Sequence, residues 1–109
     1  MLVGYMRVST PDQDIALQED ALRKAGCEQI YSDTASGASV ERAGLKRALD
    51  FTRSGDVLVV WRLDRLGRSL QHLIETVTAL EKRKSGFKSL TELIDTTTSS
   101  GRLVFQIFA

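Results

Sequence analysis

The 109-residue sequence predicts an α/β fold: a mostly parallel sheet of four to five strands with helices on both faces. Three observations carry this. Short runs with strand character recur at residues 2–8, 28–33, 57–61 and 87–90. Amphipathic stretches with helical spacing lie between them. Strand and helix alternate in chain order, the pattern that buries a parallel sheet between helical layers.

Each element has its own local reason. Residues 2–8 are rich in Val, Leu and Tyr and read as a buried strand. Tyr5 and Arg7, two apart, share one face of it. Thr10-Pro11-Asp12-Gln13 reads as a helix start: Thr as cap, Pro at the first helical position, an acid in the first turn. That helix runs to about Ala25, with Leu17, Ala21, Leu22 and Ala25 inward, and Gly26 stops it. Residues 28–33 form the second strand, and 35–39 a small polar loop. A helix over 41–53 turns Leu45, Ala48, Leu49 and Phe51 inward. Ser54-Gly55-Asp56 turns the chain into the third strand, 57–61. A longer helix over 69–84 carries Leu70, Leu73, Ile74, Val77 and Leu80 at helical spacing. It ends in the charge run Lys82-Arg83-Lys84, which complements the helix dipole. A short fourth strand follows at 87–90, and 94–100 reads as a turn. From Gly101 the chain is strongly apolar, and a helix beginning there would be cut short at Ala109.

Size and composition set limits. The chain is long enough for one compact domain. An apolar share of 42% and a charged share of 27% are ordinary for a globular protein. The single Cys27 excludes an internal disulfide and reads as a core thiol. His72 is the only histidine, so neither a histidine-based zinc site nor a Ser-His pair is expected. No apolar run approaches the roughly 20 residues of a membrane span, and no signal peptide precedes Met1. The cytoplasm is the expected location. Charge is uneven: residues 1–40 hold three basic and six acidic side chains, whereas 41–88 hold eleven basic and six acidic.

That basic half contains the stretch with the most chemistry. Asp64, Arg65 and Arg68 follow the third strand and precede a helix. In open α/β sheets, ligands sit at the carboxyl ends of the strands. Paired guanidiniums there suit a phosphate-bearing ligand. The first strand brings Arg7 and Ser9 to the same edge, the second brings Asp33 and the Ser36-Gly37 loop, and Arg42 lies within reach. A hydroxyl among arginines is equipped to attack a phosphodiester, because guanidiniums stabilise charge that builds up in the transition state.

These residues also carry a family resemblance. Tyr5-Met6-Arg7-Val8-Ser9-Thr10 with Gln13, Asp33 with Ala35-Ser36-Gly37, Arg42 with Gly44-Leu45, and Leu63-Asp64-Arg65-Leu66-Gly67-Arg68 closely resemble the catalytic domain of serine recombinases. Ser89-Leu90, and Ile94-Asp95-Thr96-Thr97 with Gly101-Arg102, are similar to the DNA invertase branch. The resemblance implies that Ser9 attacks a DNA phosphodiester, forming a 5′-phosphoserine linkage without metal or nucleotide cofactor. Arg7, Arg65 and Arg68 would clamp the phosphate, while Arg42 and Gln13 assist positioning. Asp64 would orient an arginine or move a proton, and Tyr5 would support Arg7 or Ser9. Double-stranded DNA is the implied partner, with dimers pairing into tetramers. Residues 1–100 would be the catalytic domain and 101–109 the start of a truncated dimerisation helix, with the helix-turn-helix domain absent and the fragment inactive alone. Two departures stand out: Asp50 and Phe51 replace a basic residue late in the second helix, and Lys84-Ser85-Gly86 replaces a Gly and β-branched entry to the fourth strand.

Two rivals remain on the residues alone. One is a magnesium-dependent nuclease using Asp33, Asp56 and Asp64. The other is a non-catalytic interaction domain working through the apolar surface at 103–108.

Overall fold

A computed structural model describes residues 1–8, 13–34, 43–62, 70–92, 94–98 and 107. The strands are β1 (Leu2–Val8), β2 (Cys27–Thr34), β3 (Val57–Val60), β4 (Gly86–Ser89) and β5 (Ile94–Asp95). The helices are α1 (Gln13–Lys24), α2 (Ala43–Phe51) and α3 (Leu70–Lys82). The sheet order is β2-β1-β3-β4-β5. The first four strands are parallel, and β5 pairs antiparallel with β4.

The α/β prediction therefore holds, with five strands. Residues 94 and 95 differ from the predicted turn. Their pairing is too short to show period-two alternation, and Ile94 is buried against the core all the same. β3 ends at Val60, one residue early, because Trp61 leaves the ladder in a bend. Its carbonyl still accepts hydrogen bonds from the Thr91 N–H at 2.9 Å and the Thr91 hydroxyl at 2.7 Å.

The chain winds outward from β1 in both directions. From β1 it crosses to β2 on one side. It then returns past β1 to β3 on the other. Strand order thus reverses between β1 and β3, which makes their carboxyl ends the switch-point crevice of the sheet. Right-handed crossovers require helices on opposite faces for opposite directions, and the core divides accordingly. α2 and α3 supply Leu45, Ala48, Leu73, Val77 and Leu80 to one face, against Val3, Tyr5, Leu58, Val60, Phe87 and Ile94. On the other face, Leu22 of α1 packs with Cys27 and Val59. Burying a side chain of this size stabilises by about 1.5–3 kcal/mol.

α1 is rotated from the apolar stripe expected of it. Leu22 is fully buried, but Leu17 is 59% exposed and Gln18 takes the inward place. Phe51 also differs: it lies at the rim, with its ring 6.0 Å from Tyr31. Gly26 does stop α1, at a φ of 101° that other residues avoid. Cys27 is the expected core thiol, and burial pushes it from its ordinary 9.0 to about 11.

Candidate functional site

The strongest local constraint at the carboxyl edge is Asp33. It sits near the end of β2, opposite Arg7 in register. Its Oδ1 accepts the Gly44 N–H at 2.7 Å, and its Oδ2 accepts the Leu45 N–H at 2.9 Å. These are donors of the first helical turn, which have no partner inside the helix. Asp33 thus caps α2 from ten residues upstream, and its negative charge suits the helix N-terminus. Tyr5, fully buried on β1, donates its hydroxyl to Asp33 Oδ2 at 2.8 Å. The carboxylate therefore ties β1, β2 and α2 together at one point.

Gly44 makes this approach possible. A Cβ there would lie 2.2 Å from the Ser32 carbonyl oxygen and 2.7 Å from its carbon. Only a glycine lets α2 begin against the backbone of β2.

Arg7 lies two residues beyond Tyr5, which pairs with Val60 of β3. It is half-buried at the switch point, level with Asp33 on one side and close to the exit of β3 on the other. Its carbonyl accepts a hydrogen bond from Gln18 Nε2 at 3.2 Å. Gln18 is fully buried, and its Oε1 is sealed from solvent without a hydrogen-bond partner. Such an atom costs about 1–3 kcal/mol. Sequence reasoning missed Gln18, because the apolar stripe placed Leu17 inward instead. The signal available was a polar residue five positions after Gln13 on the same helix.

At the exit of β3 the guanidinium of Arg62 lies 4.8 Å from the centre of the Trp61 ring. This cation–π contact fixes a cation beside the arginine-rich stretch that follows. Sequence reasoning passed over it as well, although adjacent Trp and Arg are visible there. On the neighbouring turn, the buried Ser89 hydroxyl hydrogen-bonds the Glu92 carboxylate.

Of the predicted site residues, Tyr5, Arg7 and Asp33 meet at this edge. Gln13 begins α1. Ser9, Arg42, Asp64, Arg65 and Arg68 lie outside the described residues, as does most of the apolar segment at 101–109. Ile107, within that segment, is 76% exposed. Of the aspartates of the nuclease alternative, the two that are described, Asp33 and Asp56, lie apart. Asp56 precedes β3 at the opposite edge, where it receives the Arg53 N–H at 2.9 Å and pairs with the Met1 amine at 3.1 Å. Leu2 pairs with Val57, which puts Asp56 level with Met1, and Arg7 pairs with Asp33, so the two carboxylates are separated along the sheet by about six residues, roughly 20 Å. Among the described residues no cluster of His, Cys, Asp or Glu could hold a metal ion.

The family described as "Resolvase, N terminal domain" matches residues 2–109. A DNA-invertase of Escherichia phage P1 is 54% identical over 107 residues, covering 98% of this chain and 58% of the relative. The serine recombinase gin of Escherichia phage Mu is 55% identical over 107 residues, covering 98% of this chain and 55% of the relative. The chain thus spans little more than half the length of these relatives. The crystal structure of the N-terminal catalytic domain of TP901-1 integrase superposes with a TM-score of 0.81 at 32% identity, covering 97% of this chain and 88% of that one.

Proposed function

Because the chain belongs to the resolvase N-terminal domain family, we propose that it is the catalytic domain of a serine recombinase that cuts and rejoins DNA. Ser9 is the nucleophile. Its oxygen attacks a backbone phosphorus, the bond to the 3′ oxygen breaks, and the enzyme is left joined to the 5′ end. The serine proton departs to the medium or to a neighbouring group, and the leaving 3′ oxygen takes one up. Rejoining runs the same step backward from the new 3′-hydroxyl. The ester conserves the bond energy, so neither metal nor nucleotide is called for.

Arg7, Arg65 and Arg68 hold the phosphate and its transition-state charge. A well-placed arginine contributes on the order of 10³–10⁵ in rate in other phosphoryl transfers. Arg42 and Gln13 help position the substrate, and Asp64 orients an arginine or moves a proton. Tyr5 and Asp33 act one step back, fixing the start of α2 and the end of β1. The observation that carries this reading is the switch-point crevice: β1 delivers Arg7 to it, and β3, its neighbour there, leads into the stretch with Asp64, Arg65 and Arg68.

Residues 1–100 form the catalytic domain, and 101–109 begin a helix for pairing two subunits. Dimers meet as tetramers on double-stranded DNA in the cytoplasm, and DNA sites are read by a domain outside these residues. No described helix is long and apolar enough to cross a membrane. The test uses residues 1–109 continued by the C-terminal remainder of the phage Mu relative. We expect a covalent protein–DNA adduct that survives EDTA and vanishes in Ser9→Ala. Cleavage that needs a divalent metal and persists in Ser9→Ala would overturn the reading.

A further inference from the structure

Gln18 occupies an inward position of α1 that the apolar pattern assigns to Leu17, which is left 59% exposed. Its carboxamide uses one end only: Nε2 donates to the Arg7 carbonyl at 3.2 Å, while Oε1 stays buried and accepts nothing. A methionine of similar volume would fill the space without the unsatisfied oxygen. A polar group kept where an apolar one would pack is the kind of local conflict that marks a functional position. Its location is also specific. Arg7 is the last residue but one of β1 and stands two positions before Ser9 in the chain.

We infer that Gln18 is a positioning residue for the cleavage step. It holds the exit of β1 through the Arg7 carbonyl, and its Oε1 accepts a hydrogen bond supplied when the exit engages DNA. This rests on the recombinase reading of the same edge. Gln18 does not touch the reacting atoms. It acts by fixing Arg7, and small displacements of catalytic groups are costly: a shift of about 1 Å can lower a rate about a hundredfold.

The experiment follows single-turnover adduct formation by the same full-length chimera with the phage Mu remainder, unsubstituted and as Gln18→Met and Gln18→Glu. The unsubstituted chimera is the control for the parent reading. If it forms no Ser9-dependent adduct, that reading fails and this inference falls with it. With the control active, Gln18→Met should slow adduct formation about ten- to a hundredfold, with DNA binding unchanged. Its urea midpoint should stay close to that of the unsubstituted protein, because removing the unsatisfied Oε1 offsets the donor lost to the Arg7 carbonyl; slowed chemistry at unchanged stability is a result that a purely structural glutamine would not give. Gln18→Glu adds a pH signature. Burial raises a carboxyl pKa, and the protonated acid can donate to Arg7 and accept as the amide does. Its deficit should therefore shrink as pH falls from 8.5 toward 6. Adduct formation by Gln18→Met within twofold of the control, or a deficit in Gln18→Glu that is constant with pH, would overturn the inference.

Discussion

At the scale of single residues, Asp33 and Cys27 illustrate opposite uses of partial burial. Asp33 is stabilised by what it accepts: two helix-start N–H groups and the Tyr5 hydroxyl. Asp33→Ala removes the cap of α2 and that acceptor of a buried phenol, and should lower stability by about 2–4 kcal/mol in urea denaturation. Tyr5→Phe should cost about 1 kcal/mol, since the helix cap survives. The two losses should sum to more than that of the double variant, because both include the one Tyr5–Asp33 bond. Cys27 is held neutral by its surroundings, with Lys88 opposing that effect weakly. Its folded value of about 11 lies above its ordinary 9.0, so the stability tied to this thiol is complete below pH 9 and lost as pH rises through 11. Cys27→Ala should lose that part of the alkaline slope while keeping the slopes of all other groups. Thiol reagents at pH 8 should label the folded protein only at the rate of opening. The Cys27 reading was open to sequence, because a lone cysteine between a helix stop and a strand is mostly core. The cap was not. Asp33 and Gly44 are eleven positions apart, and only the close approach of α2 to β2 makes them partners.

At the scale of elements, the ends were more legible than the faces. Gly26 announces the end of α1 by its type alone. The face of α1 is another matter, because periodicity ranks residues by hydrophobicity and cannot anticipate that Gln18 is drawn inward by the Arg7 carbonyl. The end of α3 lies between these cases. Lys84 has a φ of 60°, the Ser85 N–H reaches the Leu80 carbonyl at 2.9 Å, and the Lys84 N–H reaches Glu81 at 2.9 Å. This double closure is the usual glycine-terminated helix end, here built on a lysine. The run 82–84 therefore does more than offset the dipole: Arg83 also donates to the Leu49 carbonyl, latching α3 to α2. Left-handed geometry costs a residue with a Cβ about 1–2 kcal/mol, and glycine's extra freedom in the unfolded chain offsets part of that. Lys84→Gly should accordingly raise stability by about 0.5–1 kcal/mol, read as a higher urea midpoint at unchanged slope. The next glycine has a different task. A Cβ on Gly86 would meet the Thr97 methyl at 2.5 Å, so a glycine in the Lys84-Ser85-Gly86 entry lets the turn after β5 close over the start of β4.

At the scale of the whole molecule, the fold and the activity depend on different amounts of chain. Among the described residues, the fold draws its stability from a buried β1 between β2 and β3 and from helices on both faces. The proposed chemistry draws on the crevice between β1 and β3, but bringing a duplex to it calls for more. A domain that binds DNA through phosphate contacts carries a marked positive charge, because affinity comes largely from counterion release. This chain has a net charge of only +1, and its basic excess is confined to residues 41–88. The two requirements should separate experimentally. Residues 1–109 alone should unfold cooperatively and bind duplex DNA weakly, with an affinity that falls steeply with salt. They should give no inversion or resolution on a supercoiled plasmid with two sites. Joined to the remainder of the phage Mu relative, the same residues should recombine that relative's sites, since specificity then resides in the added portion while Ser9 and its arginines come from this chain. Recombination by residues 1–109 unaided would show that pairing and DNA capture are already built into the sheet and helices described here.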